Sequence, residues 1–546
     1  MSNNISNPPA PNQPILVYLP LFLISLAVLW DWVMQLYAWN QVWDVHHFMY
    51  FGQRLVEGEL HWTKGFVDKL PVNQFLFWLP AYLGSFRVWL LMSIGACLLG
   101  AYAVYVIVAD IFSPARGFPE RSGHYTALYS SVLVLYLFSS IPSGIDHINP
   151  LVVSAVLVAL ALFRVSYKQP ERRLKMALAL VASCFCASLA IGLRPYFLLS
   201  VSIIPLWTSI VVQLEDSSRK VNYVFAAKCF IYWNLGVLFF LLCVNVLPYV
   251  VTGELESFIA GVQFLSEEFA PQSALETLLT QLTSFAELDL FSILLFCLWG
   301  VLAFFLIKSL AGFPRPIGNI SKPVVIDLLA LTILMPLLIQ FMIYTKHFWY
   351  FYIQFFAVFA GVGAASLVLL VCNGKPEYLN FLSRRKLIVI LFALILVGPL
   401  SSLDTKPQSR FMESKELEVE NLRQLLSEYE ISDKDFLAPH NMYVHWVFNQ
   451  HRHGFPYAAA IDYIVMRGWW QEINIPDKFN IPRNLDEHCQ MLNSSGPKLI
   501  VFYEEHPLTQ CNLVRYDFHD LSSKAPATRW FPDIRYYFVR KDVQAR

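Results

Sequence analysis

Long apolar stretches recur along the first 403 residues and constrain the fold more than any other feature of the sequence. A hydrocarbon core about 30 Å thick is crossed by a helix of roughly 20 apolar residues. The composition agrees, because 56% of the residues are hydrophobic and 15% are charged, against about 25% charged in soluble proteins. The predicted crossings are 15–36, 88–110, 124–141, 147–166, 174–192, 195–213, 226–250, 290–311, 325–344, 348–372 and 386–403. The sequence therefore predicts an all-α polytopic membrane protein with about eleven transmembrane helices.

Two apolar runs need separate treatment. The run 72–84 is 13 residues long and contains Pro80, which fits a helix lying in the outer interface better than a crossing. No Lys or Arg precedes the run 15–36, and no small-residue cleavage pattern follows it. We therefore expect 15–36 to remain as an uncleaved first span.

The distribution of basic residues predicts the orientation, because Lys and Arg in short loops stay on the cytoplasmic side. With the amino terminus inside, the inner loops carry 17 Lys and Arg residues and the outer loops carry 5. The outer loop 251–289 holds seven acidic residues and no Lys or Arg. Counting 72–84 as a crossing would invert this asymmetry. The formal net charge is zero, so no global basic surface suggests a nucleic-acid partner.

Residues 404–546 mix charge, Pro and turn signals with short apolar runs, which predicts a soluble domain outside the cytoplasm. KELEVENLRQLLSEYE has helical apolar spacing, whereas PKLIVFYEE and RYYFVRK are typical of strands. A C-terminal soluble α/β domain is expected, distinct from a membrane module at 1–403. Cys489 and Cys511 both fall in this domain, where an oxidising compartment permits a disulfide, although sequence does not place them within bridging distance.

Ionisable residues gather at the outer ends of the predicted spans, whereas the span centres are almost free of charge. Several of these turns are tight, so their polar residues are expected to line one cavity at the membrane surface. Ion-coupled transporters usually need ionisable groups at depth or broken helices near the midplane, and the sequence shows neither. The residues are Asp44, His46, His47, Asp68 and Lys69 in the first loop, Asp146 and His147 in the second, Arg194 in a short break, and Lys346 and His347 in a late turn.

The first outer loop resembles that of the C-fold (GT-C) superfamily of integral membrane glycosyltransferases, which includes aminoarabinose transferases and protein O-mannosyltransferases. The resemblance follows a first span and consists of an Asp, an aromatic-rich helix with a Gly-containing acidic end, and an Asp-Lys-Leu-Pro entry to an interfacial helix. It is specific mainly in residues 43–80. The residues that carry it are Asp44, the helix through Tyr50 and Arg54 to LVEGE, and FVDKLP with Asp68, Lys69 and Pro71.

The resemblance extends more weakly along the membrane part and has two departures. It includes Asp146, GLRPYF around Arg194, and KHFWYFYIQFFAVFAG. Val72 replaces a common second Pro, and Val45 follows Asp44 where a second acid is common. The second departure argues against a metal site made of paired carboxylates at that position.

The resemblance implies a transferase that moves a sugar from a polyprenyl-phosphate donor to an extracytoplasmic acceptor. Asp44 is the candidate general base, because an acceptor hydroxyl must lose its proton as it attacks the anomeric carbon. The leaving phosphate is anionic and needs donors and cations rather than an acid. Those donors are assigned to Arg194, Lys346, His347 and Lys69. Asp68, Asp146 and His147 are candidates for holding the sugar or acceptor or a divalent cation (Mg²⁺, Mn²⁺ or Ca²⁺), which no ligand spacing settles.

Most of these residues also fit a purely structural role. His46 and His47 fit surface or packing positions better than ligand positions. Asp44 and Asp146 fit helix N-caps, Asp68 and Lys69 fit a solvated ion pair, and Arg194 and Lys346 fit snorkelling interface anchors.

Two other functional classes stay open at this point. A lipid or polysaccharide transporter or flippase would bind a glycolipid head in the same outer cavity without making a bond. An envelope glycan polymerase or ligase would act on a longer lipid-linked glycan. In all three cases the chain is expected to be a multi-pass membrane protein with lipids as partners. The preferred interpretation places it in the bacterial inner membrane.

Overall fold

The computed structural model is mostly helical, with a small β-sheet near the C-terminus. It describes residues 13–38, 43–63, 69–140, 145, 147–168, 173–215, 221–267, 273–286, 288–310, 321–344, 350–374, 419–432, 435–437, 484–503, 511–520 and 534–543. The α-helices are α1 (Gln13–Ala38), α2 (Trp43–Val56), α3 (Val72–Tyr82), α4 (Phe86–Ile111), α5 (Glu120–Ser140), α6 (Asn149–Lys168), α7 (Arg173–Leu193), α8 (Leu198–Ser202), α9 (Ile204–Glu215), α10 (Tyr223–Asn245), α11 (Leu247–Thr252), α12 (Leu255–Glu267), α13 (Ala274–Ala286), α14 (Leu290–Leu310), α15 (Lys322–Leu329), α16 (Met335–Ile343), α17 (Gln354–Gly374), α18 (419–428) and α19 (Leu485–Ser495). The 3₁₀-helices are Pro114–Arg116, Pro195–Phe197 and Tyr350–Ile353, a π-helix covers Ala330–Leu334, and the strands are β1 (Phe436–Leu437), β2 (Leu499–Tyr503), β3 (Tyr516–Asp520) and β4 (Ile534–Arg540).

Eight helical segments in the described part of the chain are long and apolar enough to cross a bilayer. The chain therefore has the helices of a multi-pass membrane protein. The segments are Tyr18–Leu36, Phe86–Arg116, Asn149–Tyr167, Arg173–Leu193, Pro195–Glu215, Tyr223–Thr252, Leu290–Ser309 and Lys322–Ile343.

Three of the eleven predicted crossings are not among these eight. The stretch 124–141 forms α5, whose hydroxyl and charged residues lower its hydropathy. The stretch 348–372 forms α17 after a 3₁₀ turn, and its apolar part, Gln354–Leu370, is shorter than the other spans. The stretch 386–403 lies outside the described residues.

The chain divides into two compact units, each assembled from separate parts of the sequence. Unit 1 consists of Met1–Tyr37, Met92–Phe240 and Gln272–Asp404. Unit 2 consists of Ala38–Leu91, Leu241–Pro271 and Thr405–Arg546.

In unit 1, helix α17 packs closely against α5 and α14. Two glycines allow this approach, since a Cβ at Gly361 would lie 3.0 Å from Val134 Cγ2 and one at Gly363 would lie 2.6 Å from Trp299 Cδ1. The π-helix in the span Lys322–Ile343 lies directly before Pro336. Proline has no N–H, so the carbonyl of Thr332 loses its helical donor, and Trp299 Nε1–H donates to that carbonyl at 2.8 Å.

In unit 2, the polar loop after the first span forms α2 and α3, which pack on each other. A Cβ at Gly52 would meet the backbone of Phe77, so the glycine allows the two helices to touch. The predicted interfacial run 72–84 is confirmed as a helix, although its membrane position is not part of that finding. The first N–H groups of a helix have no carbonyl partner within the helix. At the start of α3, the Val72 N–H donates instead to Asn245 Oδ1 at 3.0 Å.

The C-terminal part of unit 2 contains a sheet of order β1-β2-β4-β3. β1 pairs parallel to β2, and β2–β4 and β3–β4 are antiparallel. Helix α18 and strands β2 and β4 agree with the helix and strands predicted from the sequence. Cys489 and Cys511 form a disulfide, with Cα atoms 5.4 Å apart. Helix α18 and the sheet share a hydrophobic core. Its buried residues are Val419, Leu422, Leu426, Ile431, Phe436, Leu499, Val501, Tyr537 and Val539.

Candidate functional site

Arg194 lies where the chain leaves α7. The residue before a proline is pushed out of the helical region, and Arg194, before Pro195, has φ −143° and ψ 98°. The helix therefore ends here, and Arg194 is only 5% exposed. A snorkelling residue would keep its charged head at the aqueous interface, so burial argues against that role for Arg194.

Three of the described residues of unit 1 contact the Arg194 guanidinium. Its Nε donates to Asn149 Oδ1 at 3.3 Å, and its Nη2 lies 3.4 Å from His147 Nε2. The ring of Tyr352 lies 5.5 Å from the guanidinium carbon, within cation–π distance. His147 and Asn149 are fully buried. The structure thus brings together Arg194 and His147, which are 47 residues apart in the sequence.

Both ring nitrogens of His147 lie beside N–H groups. The backbone N–H of Asn149 donates to Nδ1 at 3.2 Å, and the Arg194 Nη2 lies 3.4 Å from Nε2. Neutral imidazole carries one N–H, so its tautomer decides which of these two contacts is a full hydrogen bond. The Arg194 guanidinium carries a planar fork of N–H donors, from which carboxylate or phosphate oxygens accept.

The turn that carries His147 is held by side chains of two apolar helices. Ile145 is fully buried, its N–H donates to Gln35 Oε1 of α1 at 3.2 Å, and its carbonyl accepts from Ser93 Oγ of α4 at 2.7 Å. Gln35 also donates to Asp31 at 2.6 Å. Both backbone polar groups of Ile145 are therefore satisfied, which fixes the turn directly before Asp146 and His147.

In unit 2, the described parts of the loop between α2 and α3, residues 57–63 and 69–71, are packed rather than extended. Gln74 Nε2 donates to the carbonyls of Phe51 at 3.0 Å and Glu59 at 2.7 Å, which ties α3 to both ends of the turn. Arg54 Nε donates to Glu59 at 3.1 Å, and the Arg54 side chain is 2% exposed. The loop after α2 is thereby held on α3.

His61 and Trp62 fill the centre of this loop. His61 Nε2 donates to the carbonyl of Lys69 at 2.9 Å, which positions the Lys69 backbone. Burial, followed by the nearby positive charge of Arg54, lowers the pKa of His61 to about 3. The N–H of Trp62 donates to the hydroxyl of Tyr249 at 3.2 Å. The loop is therefore a fixed platform on which Lys69 is half-buried.

The remaining predicted site residues have no described side chains. Asp44 is the second residue of α2, so its backbone is helical, but an N-cap role is not tested because the residues directly before Trp43 lie outside the described part. His46 and His47 are also in α2. The residues whose position is not described at all are Asp68, Asp146, Lys346 and His347.

Several residues of the site were missed by the sequence argument. Asn149 and Tyr352 contact Arg194, while Gln35 and Ser93 hold Ile145. Asn149 follows Asp146 and His147 by only a few residues, which was an available signal. Tyr352 belongs to the stretch KHFWYFYIQFFAVFAG, which carries part of the resemblance, whereas Gln35 and Ser93 are ordinary members of apolar segments and carry no local signal.

A second cluster that the sequence did not predict is a buried ionic network in unit 1. Asp327, fully buried, accepts from Arg164 at 2.8 Å and Arg116 at 2.5 Å, and from the Trp207 indole at 2.9 Å. Arg164 also binds Asp110 at 2.5 Å, and Arg116 also binds Glu215. Because both Arg residues pair with Asp327, the network joins helices α4, α6, α9 and α15.

No group of three His, Cys, Asp or Glu residues with metal-binding geometry occurs among the described residues. Neither a protein-family model nor a curated protein matches the sequence, so the proposed function depends on the residues of the site.

Proposed function

We propose that the chain is an integral membrane glycosyltransferase that moves a sugar from a polyprenyl-phosphate donor to an extracytoplasmic acceptor. The observation that carries the proposal is the buried Arg194 guanidinium beside His147 and Asn149. A guanidinium presents a planar fork of N–H donors on a cation, which suits the oxygens of a phosphate. A lipid-linked phosphate at the end of an apolar helix supplies those oxygens.

In this proposal the Arg194 cluster binds the phosphate that leaves with the lipid. The guanidinium is oriented by Asn149 Oδ1 and by the ring of Tyr352, so it needs little reorganisation when negative charge develops. His147 lies beside the guanidinium, and that positive charge makes His147 an unfavourable ligand for a cation. Lys69, Lys346 and His347 are proposed as further contacts to the phosphate, and Asp68 and Asp146 as contacts to the sugar or acceptor.

Asp44 is proposed as the general base. The acceptor oxygen forms a bond to the anomeric carbon, the bond from that carbon to the phosphate oxygen breaks, and the acceptor proton goes to the Asp44 carboxylate. Asp44 lies one residue after the start of α2. The polar loop that follows α2 is held by Gln74 and Glu59, which gives this helix a rigid support.

Two observations support an extracytoplasmic site. The inner loops of the eleven-crossing topology are rich in Lys and Arg, and the outer loops are not. The Cys489–Cys511 disulfide fits an oxidising compartment, such as the space outside a bacterial inner membrane. We therefore propose eleven crossings, with the amino terminus inside and residues 404–546 outside.

The direct test uses purified protein in lipid vesicles with a radiolabelled polyprenyl-phosphate sugar and a mixture of envelope glycans, lipids and peptides as acceptors. A transferase releases polyprenyl phosphate and moves the label to an acceptor. A protein that binds or moves the donor without cleaving it overturns the proposal. The exposed variant Glu420→Gln, whose side chain is 72% exposed, serves as the matched control for preparation and reconstitution.

One observation favours a lipid or polysaccharide transporter as the second candidate. The π-helix Ala330–Leu334 interrupts the middle of the span Lys322–Ile343, and interrupted helices are frequent at transporter sites. The same assay separates the two classes, because a transporter moves the labelled donor between leaflets and recovers it intact.

A further inference from the structure

Helix α13 has an unusual distribution of side chains for a segment expected in an aqueous loop. Its N-terminus is a capping box in which Glu276 N–H donates to Ser273 Oγ at 3.2 Å and Ser273 N–H donates to Glu276 at 2.9 Å. The helix is therefore specified locally, and its faces are defined. The face that packs on the protein is polar, with Thr277 and Ser284 at 1% and 2% exposed.

The polar face of α13 is held by side-chain hydrogen bonds within unit 1. Gln281 Nε2 donates to Gln340 Oε1 of α16 at 2.8 Å, and Thr277 Oγ1 donates to the carbonyl of Tyr344 at 3.5 Å. Gln340 belongs to the apolar span Lys322–Ile343. This contact places the polar face of α13 against a segment with the composition of a membrane span.

The opposite face of α13 is aliphatic and exposed. At about 100° per residue, Leu275, Leu278, Leu279 and Leu282 lie on the side away from Thr277 and Ser284. These four leucines are between 51% and 66% exposed. A soluble helix buries its leucines and exposes its polar residues, so α13 has the reverse arrangement.

Helix α12, in unit 2, repeats the arrangement independently. Its packed face is made of small residues, with Ser257 and Ala260 buried and Gly261 in contact with the ring of Trp62. Leu255, Ile259 and Val262 lie on the opposite face and are 41–50% exposed. In both helices one edge between the two faces is polar, with Glu256 on α12 and Glu276 and Thr283 on α13.

We propose that α12 and α13 are in-plane membrane helices whose aliphatic faces contact the acyl chains of the bilayer. The bilayer is the partner that these faces fit, because each aliphatic face lies opposite a packed face and has a polar edge that can remain at the headgroups. Seven acidic residues and no Lys or Arg occur in 251–289, so attraction to anionic lipid headgroups does not supply the binding. The acidic loop is therefore anchored by apolar contact alone.

This inference does not depend on the proposed transferase activity. It moves the two helices, Leu255–Glu267 and Ala274–Ala286, from an aqueous loop to the membrane surface. A protein with no transferase activity would retain this arrangement, and an active transferase could lack it.

The test is site-directed spin labelling of the full chain in zwitterionic phosphatidylcholine vesicles. The sequence has nine cysteines, of which two form the disulfide. The other seven are replaced by alanine. Single cysteines then replace Leu278 and Thr283 on α13, and Ile259 and Glu256 on α12. Collisions of each label are measured with oxygen, which concentrates in the acyl region, and with a water-soluble nickel chelate.

The quantity compared is the ratio of the collision rate with oxygen to the collision rate with the nickel chelate. We expect this ratio to be several-fold higher for labels at Leu278→Cys and Ile259→Cys than for labels at the matched edge positions, Thr283→Cys and Glu256→Cys. Labels at Leu278 and Ile259 that collide mainly with the nickel chelate would place the faces in water. Labels that collide with neither would place them against protein. Either result overturns the proposal. Leu282→Cys and Val262→Cys lie on the same faces and replace any variant that does not fold.

Discussion

The proposed function depends most on one buried arginine, Arg194. Arg194 follows an apolar helix in a short break, and sequence alone offers snorkelling as its simplest explanation. The structure removes that explanation through the 5% exposure of the residue and its contacts with Asn149, His147 and Tyr352. The assignment of a phosphate to this group remains a prediction.

Replacing Arg194 should weaken binding of the donor. Arg194→Lys keeps the charge but loses the planar fork, and Arg194→Gln loses both, so we expect the KM for the polyprenyl-phosphate sugar to rise in that order. Loss of a charge-assisted hydrogen bond costs about 1.5–3 kcal/mol, which corresponds to roughly 10- to 100-fold in affinity. Steady-state turnover measures the change. The control is Arg423→Gln, whose wild-type side chain is 58% exposed, and its KM should equal that of the wild type. A wild-type KM for both Arg194 variants would show that Arg194 does not bind the donor.

His61 should make the stability of the protein depend on pH. Its pKa is lowered from 6.5 to about 3 by burial and by Arg54, so the unfolded chain binds a proton between these values and the folded chain does not. The contribution to stability is therefore present above pH 6.5 and is lost as the pH falls from 6.5 toward 3. His61→Gln keeps a donor for the Lys69 carbonyl and should flatten the decrease in melting temperature between about pH 7 and about pH 5. An unchanged slope would contradict this prediction.

At the level of helices, one irregular segment depends on a distant side chain. Pro336 deprives the Thr332 carbonyl of its helical donor, and the indole N–H of Trp299 takes that position. The π-helix and its donor are thus one structural feature formed by two helices.

Removing the indole should destabilise this part of unit 1. Trp299→Phe leaves the Thr332 carbonyl without that donor inside an apolar environment, and we expect a loss of about 1–3 kcal/mol in the free energy of unfolding. The melting temperature in a fixed detergent or lipid measures the loss. Trp30→Phe, at a position 52% exposed, is the control and should change it little. A wild-type melting temperature for Trp299→Phe would show that the bond does not contribute.

The helices that sequence predicted best are those set by a local pattern. Apolar length predicts the long spans, the short apolar run at 72–84 predicts a helix at α3 that is not a crossing, and apolar residues at helical spacing predict α18. Helices α12 and α13 were missed because their leucines lie on the exposed face and the acidic residues suggested water. No local pattern marks a face as lipid-exposed rather than buried.

The contacts that sequence could not predict join distant residues. Arg116 and Asp327 are 211 residues apart, and each resembles an ordinary charge near the end of a span. The Asp31–Gln35–Ile145 contacts depend in the same way on the packing of α1 beside Ile145. The candidate site is therefore predictable as a set of residue types at the ends of apolar segments, whereas its partners Asn149 and Tyr352 require the fold.

For the molecule as a whole, the eleven-crossing topology is the prediction on which the side of the site depends. The part of the chain that the structure describes contains eight segments with the properties of spans, so the full count is a matter for experiment.

Reporter fusions should resolve the orientation. We expect a fusion joined after Lys168 to be on the cytoplasmic side and one joined after Ala260 to be on the opposite side, because Lys and Arg are concentrated in the loop that follows α6 and absent from 251–289. Alkaline phosphatase, active only outside, and a fluorescent protein, active only inside, give opposite readouts. The reverse pattern would invert the topology and place the Arg194 cluster on the cytoplasmic side.

The sugar-transfer rate of Asp44→Asn is the decisive measurement for the proposed chemistry. Asparagine caps a helix about as well as aspartate, so this change keeps a capping role and removes only the base. We predict a loss of about 100-fold or more in sugar transfer, with wild-type melting temperature and donor binding. Transfer at the wild-type rate by Asp44→Asn would contradict the proposed mechanism.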